Sequence, residues 1–221
     1  MNKAKKFIRK FLLHLKAKKV AIVYNRKKTK KKLFIDGGSN LGQGYSFFSK
    51  YFSPDKYDYI FIEPNPYCMR VIKKKFNQIR SAKFLEKAIW IKEEKLSFFG
   101  LVEDHRGNTS QGGSVLNNHN SSMYASDENR AIDVDAFSFS DFLSEIGKDY
   151  NTIIVKMDIE SAEYDVLRDL IDKKTISLID HLFVEFHSQY FEAAEQPIYR
   201  QLEKGLIHKI NSTGIGFTRW F

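Results

Sequence analysis

Cysteine is all but missing from this chain: Cys68 stands alone among 221 residues. A single thiol excludes an intramolecular disulfide and suits a reducing compartment, so the expected location is cytoplasmic. Long apolar runs are missing as well. The first apolar segment is broken by Arg9 and Lys10 and no cleavage site follows it, which excludes a secretory signal. It is also too short and too charged to span a bilayer. There is no internal repeat and no low-complexity tract beyond runs of lysine. Negative charge is absent from one stretch. Residues 1–32 hold 14 of the 36 Lys and Arg and none of the 27 Asp and Glu, so the overall +9 hides a body of net charge −5. An acidic body argues against an RNA-binding enzyme, whose first requirement is a basic face.

What is present, 43% hydrophobic residues, suffices for one well-buried α/β domain, placed at residues 33–221 behind a basic extension at 1–32. In the extension Phe7, Ile8, Phe11, Leu12 and Leu15 recur as one stripe of a helix, with Lys3, Lys6, Arg9, Lys10 and Lys16 mostly elsewhere around it. Three roles fit such a helix. It packs on the domain, it lies on an anionic membrane surface through residues 1–17, or it contacts nucleic acid. Alternation of Val20, Ile22 and Tyr24 predicts a short outer strand over Lys18–Asn25, and residues 26–32 read as a solvated basic loop.

The domain is organised around Leu33–Gly44. Leu33 to Ile35 form a short buried strand, Asp36 ends it, and Gly37, Gly38, Gly42 and Gly44 follow as a helical pattern begins (Leu41, Tyr45, Phe48, Phe52). Strand, glycine turn and helix bring backbone amides to a ligand. The spacing is Asp36-x-Gly38-x-Asn40-x-Gly42, with Asn40 in place of a middle glycine, and the third glycine of a dinucleotide fingerprint is missing. That argues against an NAD-dependent dehydrogenase. Glu63 ends the next strand (Tyr59–Ile62), 21 residues past Gly42, where a nucleoside-binding fold keeps its ribose acid.

Further along, Asn65-Pro66 predicts a capped helix start, running to about Gln78. Strands are expected at Ala82–Trp90 and over 96–102, then a loop at 103–130 long enough to be a lid or binding segment. His105 and His119 on that loop are reserve candidates for a base. A strand at 131–135, a helix capped by Ser138 or Ser140, a strand at Asn151–Met157 and a Ser161-capped helix follow. A strand at Leu182–Phe186, a helix closed by Gly214 and a last strand at 215–221 complete the order. Alternating strands and helices imply a mostly parallel sheet with helices on both faces.

Lys156, Asp158 and Glu160 share one face at the end of a strand that should be apolar on both. The following strand ends Glu185-Phe-His187 with like parity. If the strands are neighbours, these charges converge on one rim. The alternative is structural, a Lys156–Glu185 ion pair with Glu160 capping the next helix.

Taken together, Phe34-Ile-Asp-Gly-Gly-Ser-Asn-Leu-Gly42, Ile62-Glu-Pro-Asn-Pro66, Lys87-Ala-Ile89, Val134-Asp-Ala136, Ile154-Val-Lys-Met-Asp-Ile-Glu-Ser-Ala-Glu163 and Val184-Glu-Phe-His187 resemble the FkbM-type S-adenosylmethionine-dependent methyltransferases, in that family's order. The resemblance implies a Rossmann-like (class I methyltransferase) fold and O-methylation of a hydroxyl on a sugar, glycan or small metabolite. It implies that Gly37, Gly38, Asn40 and Gly42 cradle the methionine portion of the cofactor and that Asp36 supports the turn. Glu63 then takes the ribose, beside Asn65, and Ala88 lies against adenine. It names no base, and Asp158 and His187, with Lys156 and Glu160, are the candidates. Metal ligation by Asp158, Glu160 and His187 has no recognisable spacing behind it. Ser161 departs from the family's usual glycine, with little effect expected because serine can cap a helix. The runner-up is an RNA 2′-O-methyltransferase using Lys156 and the basic extension. A third reading is a binding protein that keeps the fold without catalysis, and the intact Asp36, Gly38, Gly42 and Glu63 argue against it.

Overall fold

Side-chain alternation builds the centre of the molecule. The computed structural model describes residues 3–27, 31–101, 105–120 and 126–220, with side chains from Ile8 onward. After helix α1 (Lys3–Arg26) come β1 (Lys32–Gly37), α2 (Gln43–Phe48), β2 (Asp58–Ile62), α3 (Pro66–Phe76) and β3 (Ala82–Leu85). Then follow β4 (Ala88–Trp90), β5 (Glu94–Phe98), β6 (Ile132–Ser138), α4 (Phe139–Ile146), β7 (Thr152–Met157) and α5 (Glu163–Asp172). The chain closes with β8 (His181–Val184), α6 (Gln196–Ser212) and β9 (Gly216–Arg219).

Six strands form one parallel sheet in the order β3-β2-β1-β7-β8-β9. This is the α/β architecture expected. One face is aliphatic: Leu33, Ile35, Ile60, Ile62, Val155 and Met157 pack with α4, α5 and α6. The other is aromatic: Phe34, Tyr59, Phe61 and Phe183 pack with Phe48, Phe52 and Phe76. Phe61 stacks between Phe76 and Phe84 at 5.2 Å from each ring. Period-two patterning thus sends each strand's neighbours into different cores.

Three expectations need correction. Lys18–Asn25 is not a strand. Helix α1 continues through it, because Leu13, Ala17 and Ala21 make a buried i, i+4, i+8 stripe against the aromatic core, and packing overrides the β preference of Val20 and Ile22. Lys32, expected in a solvated loop, starts β1 instead and donates from Nζ to the Tyr24 carbonyl at the helix end, 2.7 Å away. Residues 28–30 lie outside the described residues.

The expected strand at Ala82–Trp90 splits after Leu85. β3 is the edge of the central sheet among the described residues, and β4 joins a second sheet of order β4-β6-β5. Ser138, not Ser140, caps α4, accepting from the Asp141 amide at 3.2 Å. Val102 and Phe221, expected at strand ends, lie outside the described residues.

Candidate active site

Strand order reverses between β1 and β7, and an open α/β sheet binds ligands at the carboxyl ends of the strands flanking such a point. A cavity of about 230 Å³ opens there. Its wall includes Gly38, Ser39, Asn40 and Gly44 of the glycine turn, though not the expected Gly37 and Gly42, together with Glu63, Ala88, Asp158, Glu160 and Glu185.

The turn after β1 is left-handed at Gly38 (φ 70°), Asn40 (φ 43°) and Gly42 (φ 81°). At Gly38 a Cβ would fall 1.7 Å from the Asp158 carbonyl oxygen, so only glycine fits. Asparagine is among the few side chains that tolerate this region, which explains why Asn40 can replace a glycine. Its amide donates to the Ser110 carbonyl at 3.1 Å and accepts from Gln43 at 3.0 Å. The amides of Gly38 and Ser39 both donate to the Ile62 carbonyl, 3.0 and 3.1 Å away. Buried Ser39 donates to the Asp36 carbonyl at 2.6 Å and accepts from the Ile62 amide at 3.2 Å. It stitches the turn to β2. Sequence reasoning passed over it, although a serine between two buried strands is the visible signal.

Glu63 ends β2 with its carboxylate held between two backbone donors, Asn40 N at 2.7 Å and Asn65 N at 2.9 Å. Burial pushes its pKa up to about 7 against the pull of those two bonds. Asn65 caps α3, accepting from the Tyr67 and Cys68 amides, and donates to the Asn108 carbonyl at 2.8 Å. Ala88, Ile89, Ile62, Phe98 and Val115 make the apolar part of the wall.

Lys156 is opposite Asp36 across the β1–β7 pairing. Its ammonium reaches Asp36 Oδ1 at 3.2 Å, Asp158 Oδ2 at 3.3 Å, and the carbonyls of Gly37 and Gly38 at 3.1 and 2.7 Å. Four oxygens surround three protons. Burial works against the charge, but Asp158 and Asp36 outweigh it and raise the pKa above the ordinary lysine value. The alternative Lys156–Glu185 pair is not formed, because Lys156 pairs instead with Asp36, its register partner, and with Asp158.

The other rim residues do converge. His187 Nε2 lies 3.4 Å from both Asp158 Oδ1 and Glu160 Oε2, and its Nδ1 lies 3.2 Å from Glu163 Oε1. Burial disfavours the imidazolium, yet Glu160, Glu163 and Asp158 together raise its pKa well above normal. Asp158 is held down to about 2: burial opposes this, and Lys156 and then His187 outweigh it. Glu160 is pushed up to about 7 by burial and the neighbouring carboxylates. Glu185 is pushed up to about 7 in the same way, by burial first and Asp158 next. Its carboxylate makes no hydrogen bond or ion pair among the described residues. One donor atom each from Asp158, Glu185 and His187 falls within 4.8 Å.

Ser161 overturns a further expectation. It sits at φ 76°, after Glu160 at φ 49°, and caps nothing: α5 starts from Ala162 without a side-chain cap. Left-handed backbone is the physical reason for glycine here. The Ser161 hydroxyl meets His119 Nδ1 at 2.7 Å instead. Glu160 does not cap α5 either, its carboxylate being turned toward His187 and His119. His119 is buried, stacks on Tyr190 at 5.2 Å, and is held down to about 3 by burial and then His187. Residues 110–113 and Val115 of the long loop line the cavity, and Ser114 donates to the Glu160 carbonyl at 2.5 Å. His105 is exposed on that loop.

A model of the FkbM methyltransferase domain matches residues 36–208. Among solved structures, a crystal structure of methyltransferase FkbM from Methylobacillus flagellatus KT is similar at 13% identity and a TM-score of 0.40, covering 66% of this chain and 30% of that one. The chain thus spans less than a third of that structure's length. No curated protein matches the chain. The matched domain takes in the glycine turn, Glu63 and the whole charged rim, and the chain belongs to the FkbM methyltransferase family.

Proposed function

We propose that the protein moves the methyl group of S-adenosylmethionine to a hydroxyl oxygen of a sugar, glycan or small metabolite, in the cytoplasm. The observation that carries this reading is one cavity lined by a carboxylate held on two backbone amides, Glu63, by an apolar slot at Ala88, and by Glu185, whose carboxylate makes no hydrogen bond or ion pair among the described residues. The residues present fit the cofactor. Each Glu63 oxygen spends one lone pair on a backbone amide and keeps another for a ribose hydroxyl. Ala88 and Ile89 suit a flat base, and the excess negative charge of Asp158, Glu160 and Glu185 suits a sulfonium. When bound, S-adenosylmethionine supplies a methyl group already activated for transfer.

The chain's own residues then orient the acceptor and take its proton. Lys156 holds the glycine turn in place and has no proton to spare. His187, as an imidazolium, fixes Asp158 and Glu160. Glu185 is the carboxylate left to accept the hydroxyl proton as the new C–O bond forms. The lysine that an RNA acceptor reading needs is committed to Asp36, Asp158 and the Gly37 and Gly38 carbonyls, which does not support that reading.

Glu63→Ala tests the cofactor. It removes charge-assisted bonds worth about 1.5–3 kcal/mol each, so affinity for S-adenosylhomocysteine should fall about tenfold or more. Wild-type protein that binds none by titration calorimetry, or a variant that binds equally well, would overturn the assignment.

A further inference from the structure

Helix α1 is apolar on two opposite sides, and only one is covered. Leu13, Ala17 and Ala21 face the aromatic core. At 100° per residue, Ile8, Phe11, Leu12, Leu15, Ile22 and Val23 cluster about the opposite direction, and each is 42–57% exposed. Of the three roles open to this stripe, packing on the domain is the one its exposure excludes. Arg9 and Lys16 flank it on one side and Lys18 on the other, while Lys19 and Arg26 lie within it, all exposed. No acidic residue occurs in 1–32.

We propose that this outward face of α1 docks the protein on an anionic lipid surface. The charge pattern selects the occupant. A second copy would bring two uniformly basic faces together, which like charges oppose. Nucleic acid would use the lysines but would leave the exposed stripe in water, since phosphates give apolar side chains nothing. An anionic bilayer uses both: the apolar stripe enters the boundary between headgroups and acyl chains, and the flanking lysines reach the headgroups along their own stems.

The helix lies in the interface and does not cross it. No helix among the described residues is long and apolar enough to span a membrane, and α1 is about 36 Å long with charges throughout. Docking also positions the cavity. Arg9, Leu12, Leu13 and Lys16 share a surface depression with Arg219, and the next residue, Trp220, lines the cavity at the end of the sheet. The end of α1 that carries most of the stripe is therefore the end beside the cavity. None of this depends on the methyl-transfer reading.

The test uses the full chain and sedimentation with vesicles. Phosphatidylcholine vesicles with about a quarter phosphatidylglycerol should carry the protein down at about 0.1 M salt, release most of it at high salt, and bind far more than phosphatidylcholine alone. Phe11→Ser with Leu15→Ser should weaken binding about tenfold or more, and Lys16→Glu or Lys19→Glu about fivefold each. Melting temperatures should stay at the wild-type value, because these side chains point away from the core. A fluorescence blue shift of Phe11→Trp on adding vesicles should confirm insertion. Unchanged vesicle binding by Phe11→Ser with Leu15→Ser would overturn the proposal. So would vesicles being ignored, whether the same variants abolish a dimer in sedimentation velocity or single-stranded RNA is bound with a steep salt slope.

Discussion

Lys156→Met should destabilise the protein by about 3–5 kcal/mol, the typical cost of removing one partner from a buried ion pair. That is a large part of the total stability of a domain this size. Asp36 is fully buried, and Lys156 is the cation beside its Oδ1. Methionine fills much of the lysine's volume but leaves Asp36 and Asp158 facing each other, and it leaves the Gly37 and Gly38 carbonyls without their donor. Burial already raises the Asp36 pKa, with Lys156 as the main opposing influence. Without that cation the carboxyl binds a proton in the folded state at a pH where the unfolded chain has lost it. Stability of the variant should therefore be lowest at neutral pH and recover as pH falls toward the ordinary carboxylate range, by more than in the wild type, where Lys156 still opposes the rise. Adding Asp36→Asn should restore part of the loss by removing the stranded charge. Urea midpoints at two pH values for the three proteins decide the matter. A single variant within about 1 kcal/mol of wild type would show that Lys156 does not hold this turn.

Glu185→Gln should lower turnover by about 10²–10⁴-fold, the usual contribution of a general base. The two side chains are nearly isosteric, and among the described residues the Glu185 carboxylate makes no hydrogen bond or ion pair for the substitution to break. Removing one of several crowded carboxylates relieves repulsion with Asp158, so the melting temperature should hold or rise. A purely structural role predicts the opposite. The pH profile provides a second readout. Burial and Asp158 push Glu185 up to about 7. A base must be deprotonated to act, so wild-type kcat/KM should rise with pH through about 7 and then level off, while the variant's residual rate loses that rise. Glu160→Gln is the comparison, because Glu160 also lies at about 7 yet faces His187. The measurement is transfer of labelled methyl groups to the best acceptor in a panel of sugars. Full activity of Glu185→Gln on that acceptor would move the base elsewhere, with Glu160 first.

The positions of Ser161 and Glu185 show how far local pattern carries. Serine at a strand-to-helix junction is a normal cap signal, and nothing within a few residues reveals a left-handed backbone there. The Ser161 hydroxyl meets a histidine 42 residues upstream and leaves α5 without a side-chain cap. Glu185 was visible in the sequence as part of a charged rim, with an ion pair to Lys156 as the alternative. What frees it is the register of two strands far apart in sequence, which puts Asp36 opposite Lys156.

By itself the sequence determined whatever depends on neighbours along the chain. The strand–glycine–helix turn, the Asn65 cap, the two faces of each central strand and the shared parity of Lys156, Asp158 and Glu160 all follow from periods of 2 and 3.6 and from a missing Cβ. The tertiary structure alone decided which oxygens Lys156 serves, that Glu63 is fixed by two backbone amides before any ligand arrives, and that the chain changes sheets after β3. It also decided which side of α1 is covered. A helix with apolar residues on two sides reads the same in sequence whichever one packs. Small residues at Ala17 and Ala21 let the helix approach the aromatic core, and so the larger side chains opposite were left facing outward.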